Sequence, residues 1–220
     1  MNCQSGHPAK FRAFSNPIFI TVIVLMIALY SSVSCASFGN INPEVFKLAK
    51  QAHQKARTQG LAQNSIITII DYSLPSTQKR LWVVDLIRER VMFHTYVAHG
   101  SGSGDKQAKS FSDRLGSHQT SLGVFKTGST YQGKHGTSLI LHGLEKGVNG
   151  NAERRRIVIH SASYVSEGTI KKLGRLGRSH GCPALSYQDT LPVIKTIKNG
   201  TLLFAYYPDK SWLKRSKFLS

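Results

Sequence analysis

The chain has 220 residues, 40% of them hydrophobic, which suits one globular domain with a sizeable core. Lys and Arg number 29 against 11 Asp and Glu, a net charge of +18, so an anionic partner is expected and paired-carboxylate catalysis has little material. No H-x-H, H-E-x-x-H or C-x-x-C spacing occurs, which disfavours a zinc peptidase; no metal and no cofactor is expected.

Residues 1–36 differ from the rest. Lys10 and Arg12 precede an uncharged stretch whose apolar core, Ile18 to Tyr30, is 13 residues long. That length fits a signal-peptide h-region and is short for a membrane span. Ser34-Cys35-Ala36 resembles an A-x-A cleavage site, with cleavage before Ser37. The alternative is an uncleaved anchor; the short core favours cleavage, and both readings export the remainder. A lipoprotein reading at Cys35 is weaker, because Ser32 stands where a leucine-like residue is expected. With Cys3 and Cys35 lost with the leader, the mature chain holds Cys182 alone and has no internal disulfide.

From residue 41 to 220 the pattern reads as one domain. Asn42 at N-cap and Pro43 at N1 open a helix, Val45, Leu48, Ala49, Ala52 and Ala56 recur at helical spacing, and Gly60 stops it. Ser65–Tyr72, Arg80–Leu86 and Val91–Ala98 then read as strands. Gly100–Ser110, rich in glycine, serine and lysine, reads as a long mobile loop. Short strands recur near Gly123–Lys126, Ser138–His142 and Arg156–His160. Ser186-x-x-Asp189 forms a capping box for a helix to about Lys198, which Asn199-Gly200 ends, and Leu202–Tyr207 is a last strand. The result is a mainly β domain with one helix in front and one near the end.

The chemistry concentrates in two segments. Ile157-Val158-Ile159 is an apolar run that ends in His160. Gly177-Arg178-Ser179-His180-Gly181-Cys182-Pro183-Ala184-Leu185 is a polar, glycine-rich stretch around the lone cysteine. A thiol nucleophile needs a base, oxyanion donors and room for substrate. His160 at a strand end supplies a rigidly held imidazole, and Gly181 permits close approach. Arg175 and Arg178 favour a thiolate. His94 and His99 read as surface or structural residues, and Tyr131 as packing. His135 and His142 flank glycines near the cleft. Arg154–Arg156 reads as a solvated turn or a contact for anionic polymer.

Together these stretches, with Gly116–Gly123, Tyr131–Leu139 and Gly143–Asn149, resemble the YkuD-type L,D-transpeptidase catalytic domain family over roughly residues 65–207. The cysteine motif is closer to the branch reading G-R-S-x-G-C-P-A than to the commoner S-x-G-C-[IV]-R form. The resemblance implies a β-sandwich-type catalytic domain acting on peptidoglycan stem peptides in the periplasm or cell envelope. It implies that Cys182 attacks the carbonyl between the L- and D-centres of a tetrapeptide stem, releasing D-alanine, and that the acyl-enzyme passes to an amine or to water. His160 would be base and later acid, oriented by the backbone carbonyl of Ser161. The amides of His180, Gly181 and Cys182 would form the oxyanion hole. Ser179, Arg178, His142 and Tyr164 would bind substrate, and carbapenems would acylate the cysteine. The common form carries an arginine two residues after the cysteine; here that residue is Ala184, with Arg178 as the replacement. No separate wall-binding module is seen, so wall affinity would rest on the basic surface. Two other readings stand beside this one: a non-catalytic basic wall-binding protein, which would tolerate loss of Cys182, and a charge-driven nucleic-acid binder, against which the export leader argues.

Overall fold

The computed structural model describes residues 40–220. The leader, its cleavage site and any membrane contact made through it lie outside the described residues. Eight strands form the body: β1 (Ile66–Asp71), β2 (Leu81–Asp85), β3 (Arg90–Thr95), β4 (Gly123–Gly133), β5 (Gly136–Gly143), β6 (Val158–Ser161), β7 (Ala184–Leu185) and β8 (Leu202–Tyr206). Among the described residues four α-helices accompany them: α1 (Pro43–Thr58), α2 (Glu167–Leu173), α3 (Tyr187–Ile197) and α4 (Lys210–Arg215).

The strands run in the order β3-β2-β1-β8-β4-β5-β6-β7. The last strand therefore lies near the middle, parallel to β1 and antiparallel to β4. The sheet curls back on itself, because Ala98, beyond β3, bridges Ala184 in β7. This is the form that the expected sandwich-type β core takes.

Strands β1, β2 and β8 are buried on nearly every residue rather than on alternate ones. The cause lies on their flanks: α1 packs on β1 and β8, and α3 packs on β1, β5 and β6. Each fully buried Ile, Leu, Val or Phe here contributes about 1.5–3 kcal/mol of transfer free energy. Helix α1 forms as its sequence dictates. The Asn42 side chain accepts from the amides of Glu44 and Val45 at 2.9 and 3.4 Å, and Val45, Phe46, Ala49, Ala52, His53 and Ala56 face the core. Helix α3 opens on the expected box, with Ser186 Oγ accepting from the Asp189 amide at 3.0 Å. The Asp189 carboxylate in turn accepts from Ser186 and from Thr95.

Two helices were not anticipated. Ser166 caps α2 and Gly174, at φ 69°, ends it. Helix α4 plants a buried Trp212, whose Nε1–H donates to Glu145 at 3.3 Å. The Gly100–Ser110 loop is also corrected. It is pinned rather than free: the Gly100 amide donates to Thr120 Oγ1 at 2.9 Å, Ser103 Oγ accepts from the Thr120 amide at 2.8 Å, and the Lys109 amide donates to the Ser103 carbonyl at 2.7 Å.

Beneath this loop lies a buried cation. Arg80 donates to the carbonyls of Leu74 (2.7 Å) and Val97 (3.0 and 3.2 Å) and to Nδ1 of His99 (2.8 Å), with Tyr72 stacked 5.0 Å away. To accept that bond His99 must be neutral, and burial together with Arg80 pushes its pKa down to about 4. His53, His94 and His160 are also pushed down, chiefly by burial. Above pH 6.5 histidine is neutral in the folded and unfolded chains alike, so this stability is fully present. As pH falls below 6.5 the unfolded chain takes up protons that the fold refuses, and stability declines toward the folded value. For His99 alone the loss approaches roughly 3 kcal/mol. The urea midpoint should therefore drop steadily between about pH 7 and 4.5; a flat profile would show that these histidines protonate freely in the fold.

Candidate active site

The 22-residue separation of His160 and Cys182 is closed by a parallel crossover. Strand β6 carries His160, the chain passes through α2, and β7 returns beside β6 with His160 opposite Ala184 and Ser161 opposite Leu185. The same register carries Cys182 alongside Val158, two positions behind His160. The thiol stands at the Val158 amide and donates to the Arg156 carbonyl at 3.6 Å. On its other side the cysteine segment is held by the 98–101 segment: Ala98 amide to Ala184 carbonyl at 2.9 Å, Ser101 amide to Ser179 carbonyl at 2.7 Å, and Ser179 amide to His99 carbonyl at 3.0 Å.

His160 is nearly buried, and its Nδ1 lies 2.9 Å from the Ser161 carbonyl. A carbonyl can only accept, so Nδ1 carries the proton and the Nε2 lone pair is left as acceptor. The His135 ring stacks on His160 at 4.7 Å, and Ser161 Oγ donates to the His135 carbonyl at 2.7 Å. Burial lowers the His160 pKa most, the Ser161 bond opposes this, and His135 and Lys134 add to the lowering. The imidazole is therefore neutral at neutral pH.

The cysteine loop corrects several expectations. Gly181 sits at φ 124°, and a Cβ there would stand 2.8 Å from the Gln119 carbonyl, so this position requires glycine. Its amide, expected in the oxyanion hole, donates instead to Ser179 Oγ at 3.0 Å, and Ser179 Oγ donates onward to the Cys182 carbonyl at 2.6 Å. Ser179, expected to bind substrate, is thus buried and braces the loop. The Cys182 amide faces its own sulfur, and the His180 amide has no acceptor among the described residues. The His180 ring is exposed and stacks on His118 at 4.2 Å.

Burial pushes the Cys182 thiol pKa up, against the Val158 amide and Arg155, which favour the thiolate. The expected cations are elsewhere: Arg175 and Arg178 pair with Asp105 at 2.6 and 3.2 Å, and Arg178 also donates to the Gly104 carbonyl. Tyr164 does lie near the thiol. Burial and Cys182 push its own pKa up to about 12, and its side chain covers Gly177 so closely that no Cβ fits there. His142 is held by Glu153 and lines a separate cleft with Lys126, Gly128 and Asn199. A groove lined by Tyr131, Ile140, Glu153, Arg156, Ile157 and Val158 opens beside the segment the thiol touches. Tyr131 is there as an exposed ring, not a packed one. Two neighbours left little or no trace in the sequence. His135 carried only its flanking glycine as a signal. Arg155 carried none, since nothing in Arg154-Arg155-Arg156 says which side chain turns inward.

This arrangement, a histidine on β6 and a cysteine in the loop that leads into the parallel β7 of a curled β domain, coincides with a match to the family model described as L,D-transpeptidase catalytic domain over residues 38–206. The chain belongs to that family, and its mostly β, barrel-like core has the YkuD-like fold. Solved structures similar to it include the L,D-transpeptidase LdtMt1 in complex with imipenem (14% identity, 65% of this chain and 59% of that one, TM-score 0.40). Others are an L,D-transpeptidase from Mycobacterium smegmatis (12%, 65% and 59%, 0.40) and one from Xylanimonas cellulosilytica (16%, 75% and 94%, 0.38). The chain spans 59% of the length of each of the first two. No curated protein matches it.

Gly181→Ala should cost at least about 2 kcal/mol, from left-handed backbone strain and the Gln119 clash. Urea denaturation checks this; wild-type stability would mean that the loop relaxes freely.

Proposed function

We propose that the chain is an exported L,D-transpeptidase acting on peptidoglycan stem peptides, with Cys182 as nucleophile and His160 as base, in the branch marked by Gly-Arg-Ser-x-Gly-Cys-Pro-Ala. The observation that carries this is the β6–β7 pairing, which sets the cysteine beside a strand whose histidine is fixed in one tautomer by the Ser161 carbonyl.

Burial shapes the mechanism. It raises the thiol pKa and lowers the imidazole pKa, so the resting pair is neutral thiol and neutral imidazole, not a preformed ion pair. The proton then moves during attack. Rotation about Cα–Cβ lifts Sγ from the Arg156 carbonyl, the thiol proton passes to Nε2, and sulfur bonds to the substrate carbonyl carbon. The oxyanion is held by the amides of His180 and Cys182, the two that the Ser179 brace leaves available. Collapse breaks the C–N bond. The departing D-alanine amine takes the proton from Nε2, leaving a thioester on Cys182. An amine of a second stem then displaces sulfur to give a crosslink, or water does so to give a carboxylate.

The exposed Tyr131 and the groove beside Arg156 and Val158 suit an extended peptide, and Tyr164 stands within electrostatic reach of the thiol. The strongly basic exterior favours retention on anionic polymers of the cell envelope. No nucleic acid is invoked, and any membrane contact would be through the N-terminal segment alone.

Incubation with a carbapenem should add one adduct, read by intact-mass spectrometry, that Cys182→Ala abolishes and His160→Ala slows at least about 100-fold. The acylation rate should rise with pH through a midpoint below 6.5, because His160 must lose its proton before it can accept one from the thiol, and burial makes that loss easier. A missing adduct, with Cys182→Ala still retained on murein, would instead favour a non-catalytic wall-binding protein.

A further inference from the structure

We propose that Arg155 is the positioning residue of the cysteine loop, its guanidinium riveting the 112–121 segment behind Gly181 and supplying at Cys182 the positive charge that Ala184 and Arg178 do not. The proposal rests on the transpeptidase reading for its role in catalysis, but its geometry stands apart from that reading.

Arg155 donates to the Ser112 carbonyl and to Ser121 Oγ, each at 2.6 Å, to Ser117 Oγ at 3.3 Å and to the Gln119 carbonyl. All four acceptors are neutral. The Asp113 carboxylate accepts from the Asn151 amide at 3.0 and 3.1 Å; it is within electrostatic reach of Arg155 but makes no contact ion pair with it. Nη2 stands 3.0 Å from where a Gly181 Cβ would be, so the charge lies directly behind the residue preceding the cysteine. The segment it clamps also reaches the loop, since Thr120 Oγ1 donates to the Gly181 carbonyl at 3.3 Å.

A half-buried guanidinium hydrogen-bonded to dipoles, with its carboxylate neighbour out of contact, keeps more of its field than one in a contact ion pair. Arg175 and Arg178 are of the second kind, through Asp105. The other ionisable groups felt at the thiol are Tyr72 and Tyr164, both held neutral by burial. Arg155 is therefore the cation that offsets burial at Cys182, and it does so only while the clamp holds it in place.

The test is the rate of Cys182 alkylation by iodoacetamide in the full chain, followed between about pH 7 and 10. Arg155→Gln should slow alkylation at pH 8 roughly three- to tenfold and displace the whole profile to higher pH, by loss of a charge near the thiol. Arg155→Lys should restore the position of the profile while thermal unfolding still reports the lost hydrogen bonds. A merely structural arginine would change stability and leave the profile in place, and that result in a folded Arg155→Gln overturns the proposal. Should Arg155→Gln not fold, Arg155→Met keeps the length of the side chain without its charge and should displace the profile to higher pH in the same way; an unmoved profile in that folded variant overturns the proposal equally. Alkylation needs neither murein nor the base. A failed carbapenem adduct with a displaced profile therefore rejects the transpeptidase reading alone, and an adduct with an unmoved profile rejects Arg155 alone.

Discussion

The pairing of β7 with β6 is two residues long, and the site depends on it. So short a ladder contributes little by itself. It is held from outside by the 98–101 segment, whose amides and carbonyls bond the cysteine loop at Ser179 and Ala184. That segment is fixed in turn by Thr120 and by the buried Arg80–His99 pair. Small side chains make the approach possible: Ala98, Ala162 and Ala184 form a minor core under the loop with Val165 and Leu176. Gly100 and Gly181 meet where a Cβ on Gly100 would lie 2.8 Å from the Gly181 Cα. The cysteine is placed by backbone crowding rather than by a deep hydrophobic anchor.

What the amino-acid sequence made legible was mostly local. The Asn42-Pro43 start of α1 and the Ser186–Asp189 box of α3 are readable because a cap is a contact between residues two or three apart. The left-handed Asn199 and Gly200 after α3 are readable for the same reason. The hydrogen bond from His160 to the Ser161 carbonyl is also local, between neighbours in the chain. The central position of β8 was not readable. Its partners, β1 and β4, lie far from it in sequence, and a fully buried strand has no alternation to show which neighbours cover it.

The differences between expected and observed surroundings at the site share one cause. Residue type was legible, but each side chain's partner was not. Ser179 and Arg178 are polar residues beside a cysteine, and both are consumed by the fold, Ser179 across its own turn and Arg178 by Asp105. Asp105 lies in the glycine-serine loop that composition alone marks as free. Arg155 shows the converse: it sits in a basic run that composition marks as solvated, yet it reaches four acceptors in a segment more than thirty residues away.

The balance of charge around the thiol has a further consequence. A free thiol is at risk of oxidation and exchange because the thiolate is the reactive species. A strongly depressed thiol pKa would speed attack on substrate and side reactions alike. Here burial keeps the resting sulfur protonated, and Arg155 offsets only part of that cost. His160 is neutral and so able to take the proton. In the mechanism proposed above, deprotonation is thereby tied to the arrival of an electrophile that can accept the sulfur while the imidazole accepts the proton. An ion pair formed in advance would give higher intrinsic reactivity. A neutral pair keeps the sulfur protonated at rest, so its reactivity depends on a base and an electrophile being present together.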